Sequence, residues 1–508
     1  MPPGSNSDRL LEIKSEIESF LRQQPDALML EAGEEIIDLS SAECRVSIEY
    51  GKLLLEAWDG SRSLVRRIED IACRDQNQLG LFVRKPGGRE TIVLNLCASQ
   101  SAAAGSPQDA RHALRRDLTA YLRKHFPEYH LERVSNRSDR ARSFSAWHTR
   151  GVARRGRSAW AFIGLGASEP FAAADAALAY GLNWLDWVRE KSENCAISGL
   201  KLFLPHDAIP LTALRASQLD RSLNIEIFAW PSTGAPEPLK SGEFINAATR
   251  LTPRRDATQW MARHHDFLRG IFGESLDRVD LVPGAAANTL SFRARGLEIA
   301  RMEGQVAPRF YWGIEGNTRT YEPSSHEDFK NFLDHVFTKR DAKNKDTTHE
   351  IYRLQPERWL ESLLVNDLSK LDPALRAEPV YSQVPAFAGA DRGVVDILGI
   401  SKEGRLAVVE LKLHEEITLP LQGLDYWLRV KWLNDRGEFG KHGYFPGLEI
   451  SPAPPLLYLV SPAFRFHPAN EKIIRYFDHS VEVMMVGINQ QWRNGIKALF
   501  RKQMKCKG

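Results

Sequence analysis

Hydrophobic positions along this chain follow two rhythms, and the places where neither holds mark its joints. Apolar residues three and four apart predict helices over 8–22, 111–126 (RHALRRDLTAYLRKHF), 171–191 (FAAADAALAYGLNWLDWVREK), 257–272 (ATQWMARHHDFLRGIF) and 326–337. Short β-branched and aromatic runs predict strands between them, among them RVSIEYGKLLLEAW (45–58) and ETIVLNL (90–96). Three stretches carry neither period: 97–110 is small and polar, 231–242 is rich in Pro and Gly, and 339–350 is a charged run. Read as linkers, they divide the chain into segments 1–96, 110–231, 243–340 and 348–508.

The last segment has the fullest pattern. A helix at 356–367 (PERWLESLLVND) precedes strands at 378–387, 393–400 and 405–413. A helix at 419–433, a strand at 455–462, a helix at 470–477 and a strand at 481–488 follow. The order αβββαβαβ implies a mixed sheet covered on both faces. Segment 110–231 gives the same order, with strands at 129–136, 143–151, 158–166, 199–205 and 224–231 and a helix at 211–219. It reads either as a copy of the same core or as an unrelated α/β domain. Segments 1–96 and 243–340 read as α+β. The expected class is therefore α/β, multidomain.

Composition narrows this picture. A chain of 508 residues exceeds one hydrophobic core. Its 43% hydrophobic and 26% charged residues, with 12 tryptophans, are those of packed domains rather than a disordered chain. No apolar run reaches the roughly 18 residues of a membrane span, and no leader-like apolar stretch follows the first residues. A cytoplasmic protein with no membrane partner is the expectation. The five cysteines (Cys44, Cys73, Cys97, Cys195, Cys506) form no CxxC or Cys/His cluster, so neither a zinc site nor a disulfide framework is indicated. His264 and His265 are adjacent, and cannot share a helix face as a pair of metal ligands would. Segments 1–96 and 243–340 show no chemical constellation and read as structural, or as docking a second copy or another protein.

Charge changes the picture at GRLAVVELKL (404–413). An apolar run that reads as a buried strand carries Glu410 and Lys412, two apart and so on one face. The preceding strand carries one charge, Asp396, and a short loop pairs the two strands so that Asp396 can approach Glu410. Two such carboxylates repel unless a cation lies between them. A hard divalent ion, Mg²⁺ or Mn²⁺, fits a pair of oxygen ligands, and Lys412 beside it would stabilise charge on a reacting phosphate. Gln422 and Tyr426 stand one turn apart on one face of the next helix.

Asp on one strand, Glu-x-Lys on the next and Gln-x-x-x-Tyr on the following helix resemble the PD-(D/E)XK nuclease superfamily, most closely its RecB-type and mismatch-endonuclease-like branches. The resemblance covers about 350–490. It implies a restriction-endonuclease-like core in which Asp396 and Glu410 ligate metal and Lys412 is the catalytic lysine. Gln422 and Tyr426 would line the site. Glu361, on the helix before the sheet, would add a carboxylate, with Glu357 the weaker candidate. His414, Glu415 and Glu416, just beyond the lysine, depart from the pattern and read as solvated turn charges. The function implied is metal-dependent hydrolysis of phosphodiester bonds, in DNA. A nucleic-acid-binding protein that keeps the fold without cutting is the alternative; an unrelated scaffold would leave Asp396 and Glu410 far apart.

Segment 110–231 lacks these charges: AWAFIGLGA has no Glu-x-Lys, and Arg150 stands on the preceding strand instead of an Asp. Between Arg111 and Arg157 lie thirteen Arg/Lys against four Asp/Glu. Eight of them are arginines from Arg133 onward, suited to bidentate phosphate contact. Arg150, Arg154, Arg155 and Arg157 are accordingly read as binding nucleic acid.

Overall fold

The structure is a computed structural model. It describes residues 6–504, except 25–26, 32–33, 40–41, 50–51, 59–62, 75–77, 85–90, 98–106, 140–142, 233, 240–247, 255–256, 284–288, 305–307, 315–316 and 389–390. Most of the 97–110 stretch, the end of the 231–242 stretch and Cys506 lie outside the described residues. The chain is mixed α/β and divides into two compact units: residues up to 127 together with 134–136 and 146–149, and the remainder. No helix among the described residues is long and apolar enough to cross a membrane, and the four described cysteines form no disulfide.

In the first unit the helix Asn6–Gln23 lays its Ile13–Ile17–Phe20 stripe on a seven-stranded sheet. Every pairing in that sheet is antiparallel. Alternation on Lys52–Trp58 buries Leu53, Leu55 and Ala57 and leaves the residues between them less covered, the period-two signature of a one-sided sheet.

The second unit holds three sheets. A five-stranded antiparallel meander runs Asp280–Pro283, Thr289–Ala294, Leu297–Glu303, Arg309–Ile314, Asn317–Thr320. Helices Ala257–Phe272 and His326–Lys339 close it over a knot of Phe272, Phe292, Phe310 and Phe329. His264 marks a kink in the first of these helices (φ −116°, ψ 16°).

The C-terminal sheet runs in the order Arg250–Leu251, Tyr381–Ala388, Asp391–Ile400, Leu406–Leu411, Leu456–Pro462, Glu482–Ile488, Ala498–Met504. The pairings from Leu406–Leu411 to Leu456–Pro462 and on to Glu482–Ile488 are parallel, and the rest are antiparallel. Helix Pro356–Val365 covers one face and helix Leu419–Asn434 the other. All six residues of Leu406–Leu411 are buried, as befits a central strand with helices on both sides.

Two features depart from the pattern reading. The charged run 339–350 is no loose linker. Arg340, 1% exposed, donates to the carbonyls of Arg295, Ile351, Leu354 and Gln355, at 2.7–3.3 Å, and so ties the meander to the helix that follows. The strand Ala498–Met504 was hidden because it lies on a sheet edge with five consecutive residues exposed, Leu499 to Gln503, so its apolar and polar positions do not alternate.

The remaining sheet has the order Asn224–Ala229, Ala196–Leu204, Ser158–Leu165, His148–Arg155, His130–Ser135. Its first two pairings are parallel. The second strand begins at His148 rather than 143, because Phe144 turns aside to pack edge-on against Trp184 and Trp187. Helix Phe171–Lys191 runs as the apolar period predicts.

Candidate active site

The antiparallel ladder between Asp391–Ile400 and Leu406–Leu411 ends at Ile397 opposite Val409. One step further the strands part. Leu411 has no ladder partner on that side, and its N–H donates to Asp396 Oδ2 at 3.2 Å. Asp396 and Glu410 therefore meet where the backbone opens. Alternation sends both away from the core that Ile397, Val409 and Leu411 share with Trp359, and towards helix Leu419–Asn434. Lys412 Nζ donates to Glu410 Oε1 at 3.1 Å, which places all three on one side.

The electrostatics of this trio are unusual for a sheet interior. Glu410 is 2% exposed. Burial first, and the neighbouring Asp396 second, push its pKa well above the ordinary carboxylate range. Burial likewise raises Asp396, although Lys412 and the Leu411 N–H pull it back. Burial works against the charge of Lys412, but Glu410, Asp396 and Glu357 outweigh it and raise its pKa, so the lysine is a fixed cation. Glu410 Oε2 is enclosed and meets no donor group among the described residues, although Glu410 and Asp396 share a hydrogen bond when one of them carries a proton. A buried carboxylate oxygen without a donor is costly, and a cation removes that cost.

Helix Leu419–Asn434 closes the face. Burial, then Glu410 and Asp396, raise the Tyr426 hydroxyl above the ordinary range. Gln422, one turn earlier, has Oε1 enclosed without a partner. Glu361 enters from helix Pro356–Val365, where burial lifts its pKa to about 7 despite Arg358, and Asp396 adds to the rise. Arg358 Nη1 at 2.8 Å and Gln383 Nε2 at 2.9 Å both donate to Glu361 Oε2. Glu357 instead serves the loop after the lysine, accepting weakly from Leu413 N at 3.5 Å and standing 3.5 Å from His414 Nδ1. His414 and Glu415 are exposed, and Glu416 accepts from Thr418 Oγ1 at 3.0 Å at the start of the helix.

Gln383, Arg358 and Arg293 belong to this site and carry no motif that announces them. The strand register places Gln383 beside Asp396, between Ser382 opposite Ile397 and Val384 opposite Val395. Its φ is +53°, a left-handed conformation rare for a side chain of this kind and held here by its bond to Glu361. Arg293 comes from the meander and acts on Glu361 electrostatically. Among the described residues no three carboxylate, imidazole or thiolate side chains form a ready cage for a metal. The arrangement is a pair with a third carboxylate held close by arginine.

The four arginines of the other sheet separate into two groups. Arg154, Arg155 and Arg157 are exposed around the turn at Gly156 (φ +61°). Arg150 is not with them. Its guanidinium lies 4.3 Å from the centre of the Phe144 ring and 5.5 Å from that of Trp184, and donates to Arg137 O at 2.9 Å. Its Nε and Nη1 are enclosed, and burial lowers its pKa to about 10. No family model matches the chain, and no curated protein matches it either.

Proposed function

We propose that the chain is a divalent-metal-dependent nuclease that hydrolyses phosphodiester bonds in DNA, with Asp396, Glu410 and Lys412 at its centre. The observation that carries this reading is the close Asp396–Glu410 pair, with Glu410 buried, one of its oxygens without a donor group and Lys412 bonded to the other, at the parting of two strands. The resemblance of these residues, in this order and on these elements, to PD-(D/E)XK nucleases supports it.

The donor set fits a hard divalent cation: Asp396 and Glu410 would hold it, with Glu361 as a further oxygen ligand once released from Arg358. Bound Mg²⁺ or Mn²⁺ would supply Lewis-acid charge and an activated water. The remaining work falls to the chain. Lys412, protonated at neutral pH, offers charge to the phosphoryl oxygens as negative charge grows on them. Tyr426 and Gln422 border the substrate strand, and the apolar layer beneath Glu410 keeps solvent from relaxing the field. Arg154, Arg155 and Arg157 hold DNA backbone away from the chemistry.

The test is incubation of the purified chain with plasmid and linear DNA in Mg²⁺, Mn²⁺ or EDTA. Cleavage is expected with either metal and not with EDTA. Asp396→Ala and Lys412→Ala should each abolish it while far-UV dichroism and thermal unfolding stay cooperative. Undiminished cutting by the Asp396 variant refutes the assignment.

A further inference from the structure

Five strands of the C-terminal sheet match one for one those of the sheet from Asn224–Ala229 to His130–Ser135, and Arg250–Leu251 and Ala498–Met504 are added at the C-terminal sheet's two edges. Each runs three strands, a long helix, a parallel strand, a short helix and a second parallel strand, in the same spatial order. Their closing units also match in sequence: KLFLP (201–205) with YLVSP (458–462), and LDRSLN (219–224) with FDHSVE (477–482). The second match is structural in detail. Asp220 Oδ1 accepts from Ser222 N at 2.8 Å, and Asp478 Oδ1 from Ser480 N at 2.9 Å. Asp220 O accepts from Leu223 N, and Asp478 O from Val481 N, each at 2.9 Å.

These equivalent turns bind each other. Leu219 and Phe477 form an antiparallel bridge. Asp220 N donates to Tyr476 O, and Asp478 N to Gln218 O, both at 2.8 Å. Two flanking ion pairs also run from the short helix of one to the long helix of the other, at neighbouring rather than equivalent positions. Arg215, on the short helix of one copy, reaches Asp425 on the long helix of the other at 2.7 Å. Lys472, on the other short helix, reaches Asp186 on the first long helix at 3.0 Å. When residue i of one body meets residue j of the other, and j meets i, the interface is isologous, the pattern of a two-fold dimer.

The equivalence also shows what stands in the site of the second copy. Gly423 packs on Leu457 and Leu459, and Gly181 on Leu200 and Leu202. Glu410 pairs with Leu459, and Ile163 with Leu202. Ile163 thus occupies the place of Glu410, Leu165 that of Lys412, and Trp184, three residues after its glycine, that of Tyr426. Arg150 lies beneath Trp184, on the strand that corresponds to the one carrying Asp396. An isoleucine and a guanidinium cannot hold a cation, and the stacked rings fill the space.

We infer that one chain is a fused pseudo-dimer of an active and a blind copy of the same core, and that each bound chain therefore cuts one strand of duplex DNA. This rests on the nuclease reading above. A two-fold pair presents equivalent surfaces to the two antiparallel strands of a duplex, whose own dyad it mirrors. With a reacting centre in one half, a binding event delivers a nick, and the other half grips uncut backbone.

The test is the first product from supercoiled plasmid, with the chain substoichiometric to DNA and Mg²⁺ or Mn²⁺ present. Open circles are expected to appear first, with linear DNA following after a lag as independent nicks coincide. Linear DNA rising without a lag, in step with the loss of supercoils, overturns the inference and leaves the nuclease reading intact. Cleavage confined to single-stranded DNA does the same. No cleavage of any DNA with either metal removes both.

Discussion

At the scale of the residue, the account turns on a carboxylate pair that the metal-free protein holds at a cost. Glu410 is pushed well above the ordinary range by burial and by Asp396. A raised carboxylate binds its proton more tightly folded than unfolded. Stability is then full below the unfolded pKa and falls as pH rises from the ordinary carboxylate range through the folded value. Glu410→Gln has no charge to bury, and its amide oxygen can still accept from Lys412. In EDTA it should unfold at a higher temperature than wild type at pH 8, and the gain should vanish at pH 4. A thermal series across that range checks this, and a gain independent of pH would count against the paired-carboxylate account. The common face of Glu410 and Lys412 was legible from period-two spacing, and the approach of Asp396 from the short loop that pairs the two strands. Gln383 was not, since its left-handed φ and its bond to Glu361 arise from a tertiary contact that no local pattern encodes.

At the scale of the element, a hairpin turn and a helix each correct a reading based on composition. The basic stretch from Arg111 to Arg157 is one feature in sequence but several in space. Arg111 is 5% exposed, Arg133 lies over the Trp187 ring, Arg150 is stacked within its layer, and Arg154, Arg155 and Arg157 stand exposed on one turn. Each lost phosphate contact flattens the slope of log affinity against log salt by about 0.9. Replacing Arg154 and Arg155 together by Ala should flatten it by up to roughly 2, if both touch phosphate, with cleavage at saturating protein unchanged. Fluorescence anisotropy on labelled duplex across a salt series reads this directly. An unchanged slope would reduce the turn to a solvated one. The helix Phe171–Lys191 was legible in full from its apolar period, whereas the start of strand His148–Arg155 was not, because Phe144 leaves the ladder for an aromatic contact made by that helix.

At the scale of the whole molecule, two sheets of the same element order meet at a buried charged seam within the second unit. Arg215 is 2% exposed and bonds Asp425 and Asp175 together. Burial opposes its charge, but the two aspartates outweigh it and raise its pKa. Removing one member of such a cluster strands the others, and Arg215→Ala should cost about 3–5 kcal/mol. Denaturant unfolding would show this as a lower midpoint, while a loss under 1 kcal/mol would mean the pair is dispensable to the seam. The common element order of the two copies was legible. Their pairing was not, because it is carried by a turn of a few residues and by ion pairs more than 200 residues apart. On the proposed reading Ile163 and Arg150 stand where a cation would need carboxylates, so every strong site should belong to the Asp396–Glu410 sheet. Titration of the purified chain with Mn²⁺, followed by the loss of its free-ion paramagnetic signal, measures this. Wild type should bind saturably, Mg²⁺ should compete, and Asp396→Ala should remove the binding altogether; Mn²⁺ binding that survives unchanged in that variant would contradict the account.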